Sequence, residues 1–134
     1  MTTITIFEDG TATLLYHSDE KIVHHIFHRD VKGNTFRSVL NAGLDVFQEF
    51  KAYKWLSDDR MAGPLSHDDL EWARTDWFQR VAAEGWKYWA LLLPRDVDSM
   101  RLSRETVHIW RPYGLKVMYF AVPNAAYLWL ANQH

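Results

Sequence analysis

The spacing of apolar residues along this chain changes after His28, and this change restricts the fold more than any other feature. Before it, three short segments alternate in polarity or are rich in β-branched and aromatic residues, and two turn signals separate them, Glu8-Asp9-Gly10 and Ser18-Asp19-Glu20. After it, apolar residues recur at helical spacing, beginning with Phe36, Val39 and Leu40. The N-terminal part is therefore predicted to form antiparallel strands, and helices are predicted to follow.

Helices and short buried strands alternate in the rest of the sequence. The predicted elements are strands over 3–7, 11–16 and 21–28, a helix with its apolar stripe over 36–50, a strand over 52–56, a helix from Ser66 to Gly85, a strand over 88–93, a helix over 100–113, a strand over 115–121 and a last helix from Pro123. Asn34 or Thr35 is the predicted N-cap of the first helix, and Ser66 with Asp69 forms a capping-box-like pair at the second. Thr75-Asp76 is expected to interrupt that second helix.

This order predicts an α/β fold with a mixed sheet. Strands separated by helices pair in parallel through crossovers, whereas the N-terminal strands must join the same sheet antiparallel. About four helices flank the sheet in this prediction. The length of 134 residues and the lack of any linker or repeat indicate a single domain over 1–134.

Composition excludes several classes of function. A net charge of −2 and a pI near 6.4 argue against a nucleic-acid partner. The absence of cysteine excludes disulfides, thiolate nucleophiles and cysteine-based zinc sites.

The N-terminus lacks the pattern of a secretory signal, and the longest apolar run, Trp89 to Leu93, is too short to span a bilayer. A cytoplasmic protein without a membrane span is therefore expected.

Several short motifs follow one another at a characteristic order and spacing from about Lys21 onward. They are Lys54-Trp55-Leu56-Ser57-Asp58-Asp59-Arg60, Leu65-Ser66, Asp69-Leu70-Glu71-Trp72, Gly85-Trp86-Lys87, Ala90-Leu91-Leu92-Leu93-Pro94, Gly114-Leu115, Phe120 and Ala126-Tyr127-Leu128-Trp129-Leu130. Together they resemble the bacterial SpoIIAA-like group of the STAS fold, which is distantly similar in shape to the CRAL-TRIO lipid-binding domains.

The resemblance implies a mixed sheet flanked by helices in a small stand-alone protein, often without an assigned activity, and the better-known STAS members are not enzymes. Better-known STAS proteins bind partner proteins such as anti-sigma factors, and phosphorylation of a Ser at the start of a helix after a central strand switches them. Their motif reads Asp-Ser-Ser-Gly, whereas this chain has Leu56-Ser57-Asp58-Asp59-Arg60, without the second Ser or the Gly. Ser57 and Ser66 are the candidate phosphorylation sites that the resemblance implies.

The segment Ser57-Asp58-Asp59-Arg60 is the first candidate for a binding site, because ligands of open α/β sheets bind at the carboxyl ends of strands. In a binding role, Asp58 and Asp59 would hold a cation or hydroxyl groups and Arg60 an anion. In a structural role, Asp58 caps the turn and pairs with Arg60. Trp72 lies off the inner stripe of its helix, so it is either an exposed anchor for a ligand or partner, or a packing residue.

The histidines and the candidate nucleophiles give no specific catalytic or metal site. His24 and His28 fall on one face of a strand and lie ~13 Å apart, too far to share an ion, and His25 falls on the other face. Hydrogen-bonded histidines are therefore expected. The chain has no Gly-x-Ser-x-Gly sequence and no glycine-rich phosphate loop, so no catalytic residue, metal or cofactor is predicted.

Three hypotheses about function follow. The first is a non-enzymatic, STAS-like regulatory or protein-binding module, with a protein or a second copy of the chain as partner and Ser57, Asp58, Arg60 and Trp72 at the binding surface. The second is a carrier of a small apolar or lipid-like ligand, suggested by the seven Trp and the 15% aromatic content, which predicts an apolar cavity between sheet and helices. The third is a small enzyme that uses Asp58, Asp59 and Ser57.

Overall fold

The computed structural model describes residues 2–93, 100, 101, 104, 105, 108 and 114–134. The six strands of this part are β1 Thr3–Glu8, β2 Ala12–His17, β3 Ile22–Phe27, β4 Lys54–Asp58, β5 Tyr88–Leu92 and β6 Lys116–Phe120. The helical segments are α1 Gly33–Glu49, α2 His67–Trp72, a π-helical turn Ala73–Trp77, α3 Phe78–Ala83 and α4 Pro123–Ala131.

All six strands form one mixed sheet in the order β1-β2-β3-β4-β5-β6. The pairs β1–β2 and β2–β3 are antiparallel, and β3–β4, β4–β5 and β5–β6 are parallel. The α/β class and the mixed sheet predicted from the sequence are thus confirmed. Because α2, the π-helical turn and α3 run on as one helix, the described part has three helices, and the further helix predicted over 100–113 lies mostly outside the described residues.

The boundary of β4 corrects one prediction that matters for the site. The sequence placed the strand over 52–56 and the loop from Ser57, whereas β4 runs from Lys54 to Asp58. Pairing on both sides explains the difference, since Ser57 lies opposite His25 of β3 and Leu91 of β5. Ser57 and Asp58 are therefore strand residues that point to opposite faces of the sheet.

Of the two predicted N-caps, the one of α2 is confirmed and the one of α1 is not. Ser66 Oγ accepts a hydrogen bond from the Asp69 amide at 3.1 Å, which confirms the predicted cap of α2. The cap predicted at Asn34 or Thr35 is wrong. Helix α1 begins at Gly33, after Lys32 in extended conformation, and no side chain caps it there. Instead the buried carboxylate of Asp69 accepts from the Gly33 amide at 2.7 Å.

The predicted interruption at Thr75-Asp76 is confirmed as the π-helical turn Ala73–Trp77. Thr75 Oγ1 donates to the Glu71 carbonyl at 2.8 Å, in competition with the helical backbone bonds. The turn leaves Trp77 buried against α1, where its indole donates to the Leu40 carbonyl at 2.9 Å.

The two faces of the sheet carry different layers. The larger core lies between one face and α1, α2 and α3, with the fully buried indole of Trp55 at its centre. The smaller core lies on the other face, where Ala126 and Leu130 of α4 pack on Leu56, Ala90 and Leu92. None of the helices in the described ranges is long and apolar enough to cross a membrane.

Strand β1 forms one edge of the sheet and pairs only with β2 among the described strands. Its Ile4 and Ile6 are exposed, and its register shifts between Thr5 and Phe7. A bulge of this kind hinders the pairing of an edge strand with a second chain. The homodimer expected from the sequence stays a prediction, which light scattering of the purified protein can decide.

Candidate functional site

A pocket opens between the carboxyl ends of β3, β4 and β5 and the helices that cover this face. Its volume is about 70 Å³. One water needs roughly 10–15 Å³ on this scale, so the pocket has room for on the order of five non-hydrogen atoms. It is lined by His25, Phe27, Phe36, Leu40, Ser57, Asp59, Leu65, Leu70, Ala73, Trp77, Phe78, Trp89 and Leu91.

Strand register brings the polar groups of the pocket together. His25 and Ser57 are partners across the parallel pair β3–β4, and Ser57 and Leu91 are partners across β4–β5. Residues opposite each other in adjacent strands point to the same face, so these three side chains form one row across the sheet. Asp59 follows β4 directly and lines the same pocket.

His25 is held at both ring nitrogens. The Trp55 indole N–H lies 2.9 Å from His25 Nδ1, and His25 Nε2 lies 2.8 Å from Asp59 Oδ1. An indole nitrogen can only donate, so Nδ1 must be the acceptor and carry no proton. The ring proton then lies on Nε2 and is donated to Asp59. Trp55 thereby sets the tautomer, and His25 fixes the position of the carboxylate.

Ser57 is the second polar group of the pocket. It is 2% exposed, and its Oγ accepts a hydrogen bond from the Trp89 indole at 2.8 Å. A hydroxyl oxygen has two lone pairs and one hydrogen. The second lone pair and the hydroxyl hydrogen have no other partner within the described part of the chain. Ser57 can therefore both donate to and accept from a ligand.

Aromatic side chains make up half of the apolar residues that line the pocket. They are Phe27, Phe36, Trp77, Phe78 and Trp89. Phe78 and Trp89 meet edge to face with ring centroids 5.1 Å apart, and Trp77 and Phe78 meet the same way at 5.6 Å. This mutual packing holds the rings in fixed orientations around the opening. The wall is consequently rigid and hydrophobic, with its polar groups confined to the floor.

Asp58 and Arg60 of the predicted binding segment do not line this pocket. Asp58 is buried on the opposite face, and its carboxylate is paired with Arg60 through two hydrogen bonds of 2.9 and 2.8 Å. The bond to Asp58 raises the pKa of Arg60 above its ordinary value. This geometry matches the structural role weighed from the sequence. It also separates Asp58 from Ser57 and Asp59, so the three do not form one catalytic group.

Trp72 lies outside the pocket as well. Its ring is half-buried, packs edge to face on Phe36 at 6.2 Å, and has the guanidinium carbons of Arg37 and Arg80 at 5.3 and 5.9 Å from its centre. The sequence left two roles open for Trp72, an exposed anchor or a packing residue. Its contacts are those of a residue packed against a neighbouring helix. Trp72 supports the pocket only through Phe36.

The two candidate phosphorylation sites differ in accessibility. Ser57 is buried inside β4, whereas Ser66 is exposed at the N-cap of α2. A phosphate on Ser57 would require the pocket to open, while Ser66 can be reached in the folded state. Phosphorylation of either residue stays a prediction.

Three other histidines, His17, His24 and His28, are hydrogen-bonded on the sheet face that α4 covers. His17 Nε2 and His24 Nδ1 lie 3.0 Å apart, and His28 Nε2 lies 2.7 Å from Thr13 Oγ1. Burial lowers the pKa of His24 to about 3, and His24 Nε2 is buried without a hydrogen-bond partner from the residues that the structure describes. Among the described residues, no three histidine or acidic side chains are grouped as a metal site would require.

Comparison with protein-family models, curated proteins and solved structures finds no match to this chain. The SpoIIAA-like membership inferred from the motifs therefore stays a prediction, and the site must be interpreted from its own geometry.

Sequence reasoning singled out Ser57 and Asp59, which both line the pocket, and missed the roles of His25 and Trp89. The available signal was the pairing order. His25 was already assigned to the face opposite His24, and a parallel β3–β4 pair would have placed it beside Ser57. The indole of Trp89 had no such signal, because its hydrogen bond to Ser57 comes from a residue two positions before the aligned Leu91. For Asp59 only the pairing with His25 was not predicted, because it depends on the positions of both side chains in the folded protein.

Proposed function

We propose that this domain is a non-enzymatic binding module for a small ligand with an apolar body and one polar group. The observation that carries the proposal is the pocket above His25, Ser57 and Asp59, in which a few polar groups meet an aromatic wall. Ligand sites in proteins typically combine such walls with a small number of placed polar groups. This corresponds to the carrier hypothesis from the sequence, which the pocket supports.

The position of the pocket in the fold supports the proposal. It lies at the carboxyl ends of parallel strands, where open α/β sheets bind their ligands. The π-helical turn Ala73–Trp77 passes directly over it and contributes both end residues to its lining. Single π-helical turns inside α-helices are frequently found at functional sites.

The hydrogen bonds of the pocket argue for binding rather than catalysis. A serine nucleophile needs a base that accepts its proton. Both ring nitrogens of His25 are already engaged, one by Trp55 and one by Asp59. Ser57 in turn accepts a hydrogen bond from Trp89 rather than contacting the imidazole. The protein partner that the STAS resemblance implies is a separate proposal, which the pocket neither requires nor opposes.

Titration of the ¹⁵N-labelled protein with 1-butanol, observed by NMR, tests this function. The alcohol has five non-hydrogen atoms and matches the volume of the pocket. We expect saturable shifts of the Ser57 and Asp59 amides and of the Trp89 indole N–H. Weak binding is sufficient, because so few atoms limit the attainable affinity.

Two variants, each with an alanine replaced by leucine, provide the test and its control. Ala73→Leu places three more carbons in the pocket lining and should abolish the shifts, whereas Ala82→Leu makes the same change on the exposed side of α3 and should leave them intact. Equal binding by wild type and Ala73→Leu, or shifts scattered over the surface, would refute the proposed site.

A further inference from the structure

We propose that the ligand of this pocket is a small amine that binds as the ammonium ion, with Asp59 as its counter-charge. The inference rests on the proposed function and specifies the chemistry of its ligand. Its basis is the charge of the polar floor, which carries one carboxylate and, in the described part of the chain, no cation that neutralises it.

His25 supplies no positive charge to the floor. Trp55 donates to Nδ1, so that nitrogen has no proton, and the single ring proton lies on Nε2 toward Asp59. A protonated ring would set an N–H of His25 against the indole N–H, two donors 2.9 Å apart. The Trp55 contact therefore holds the imidazole neutral beside Asp59.

The nearest arginine in sequence is also unable to neutralise Asp59. Arg60 is bound at two positions to Asp58, whose side chain points to the opposite face of the sheet. Within the described residues, the side-chain partner that the structure gives Asp59 is the neutral imidazole of His25, which is hydrogen-bonded to Oδ1. Oδ2 is left to accept from a ligand. The Asp59 side chain is 22% exposed, so its charge is partly removed from water and acts strongly within the pocket.

The remaining walls favour a cation over a neutral or anionic group. Aromatic faces attract an ammonium through the ring quadrupole, and Trp89, Trp77 and three phenylalanine rings surround the floor. Ser57 Oγ has a second lone pair and lines the same pocket as Asp59, so an ammonium has two acceptors at the pocket floor. A carboxylate in this position would instead face the charge of Asp59.

The volume of the pocket restricts the class of amine ligands further. Room for on the order of five non-hydrogen atoms admits an ammonium group with a chain of about four carbons, and larger amines would extend through the opening. The geometry thus points to short aliphatic amines or to the amine-bearing end of a longer molecule.

Three probes of nearly equal shape separate the alternatives: butylamine, 1-butanol and butyrate. At pH 7 the amine is charged like a lysine side chain and the acid is ionised. NMR titration at low salt should give butylamine about tenfold tighter binding than 1-butanol, with butyrate the weakest. Asp59→Asn keeps an acceptor for His25 and should reduce the amine preference to about twofold or less. Asp45→Asn, on the exposed face of α1, removes the same charge and should preserve it.

The outcomes distinguish this inference from the proposed function. Equal binding of butylamine and 1-butanol, or an undiminished amine preference in Asp59→Asn, would overturn the ammonium assignment and leave the pocket as a site for neutral ligands. Tightest binding of butyrate would also overturn it. If none of the three probes shifts the pocket resonances, the proposed function fails and the inference fails with it.

Discussion

At the scale of single residues, we expect the ion pair between Asp58 and Arg60 to stabilise the fold. Asp58 is 3% exposed, and the Arg60 guanidinium donates two hydrogen bonds to its carboxylate oxygens, beside a longer one of 3.4 Å from the Arg60 amide. Arg60→Ala leaves this buried carboxylate without the guanidinium. We expect the free energy of unfolding to fall by about 1–3 kcal/mol, a reduced value because the arginine is partly exposed. Urea denaturation measures the change.

Arg74→Ala is the matched control, since it removes an exposed pair with Glu71 and should cost about 0–1 kcal/mol. Binding of 1-butanol should be retained in Arg60→Ala under conditions where the variant is folded, because the pair lies on the face away from the pocket. If Arg60→Ala kept the wild-type stability but no longer bound 1-butanol, the pair would act in ligand recognition and not in stabilising the fold.

His24 gives the stability of the protein a dependence on pH. Burial lowers the pKa of this ring from 6.5 to about 3. Between these values the unfolded chain binds a proton that the folded protein does not, so stability falls as the pH is lowered from 6.5. The slope for one such group is about 1.4 kcal/mol per pH unit. Denaturation of the wild type at several pH values between about 6.5 and 4.5 should show it.

The His24→Leu variant should lose most of this contribution to the slope, whatever its absolute stability. Some dependence will remain, because burial also lowers the pKa of His17. Replacement of the exposed His67 by Ala is the control and should reproduce the wild-type slope. A slope in His24→Leu as steep as that of the wild type would show that His24 is protonated in the folded state.

At the scale of elements, Gly43 determines how closely α1 approaches β4. A Cβ at this position would overlap the six-membered ring of Trp55, which lies against the helix. Ala normally favours a helix over Gly by up to about 1 kcal/mol. Here we expect Gly43→Ala to lower the melting temperature, because the hydrogen bond from Trp55 to His25 prevents the indole from moving away.

Thermal unfolding followed by circular dichroism measures this effect. Ala42→Gly, at the neighbouring half-buried position, tests ordinary helix propensity and should destabilise by about 0.5–1 kcal/mol. A Gly43→Ala protein that melts at or above the wild-type temperature would show that Trp55 is free to repack.

Local chemistry explains which elements the sequence predicted well. The cap at Ser66, the interruption at Thr75-Asp76 and the start of α4 at Pro123 all depend on neighbours within four residues, and all three are confirmed. The cap at Asn34 or Thr35 failed because the amide of Gly33 is bound by Asp69, 36 residues away. Contacts of that range leave no local pattern.

At the scale of the whole molecule, the order of strands and helices was predictable, and the set of polar groups on the floor of the pocket was not. The strand-like and helical spacings of apolar residues predict three antiparallel strands followed by parallel ones. They also place Ser57 near the carboxyl end of a strand. The row of His25, Ser57 and Leu91 requires the register of two parallel pairs. Register is set by packing across the sheet, so Asp59 gained its partner His25 only in the folded structure.

The binding of a small ligand above His25, Ser57 and Asp59 is the central claim, and intermolecular nuclear Overhauser effects test it most directly. With butylamine at saturating concentration, we predict contacts from its methyl and methylene protons to the side chains of Trp89, Leu91 and Ala73, and none to those of α4. Contacts confined to α4 or to exposed β1, or no contact at saturation, would contradict the account.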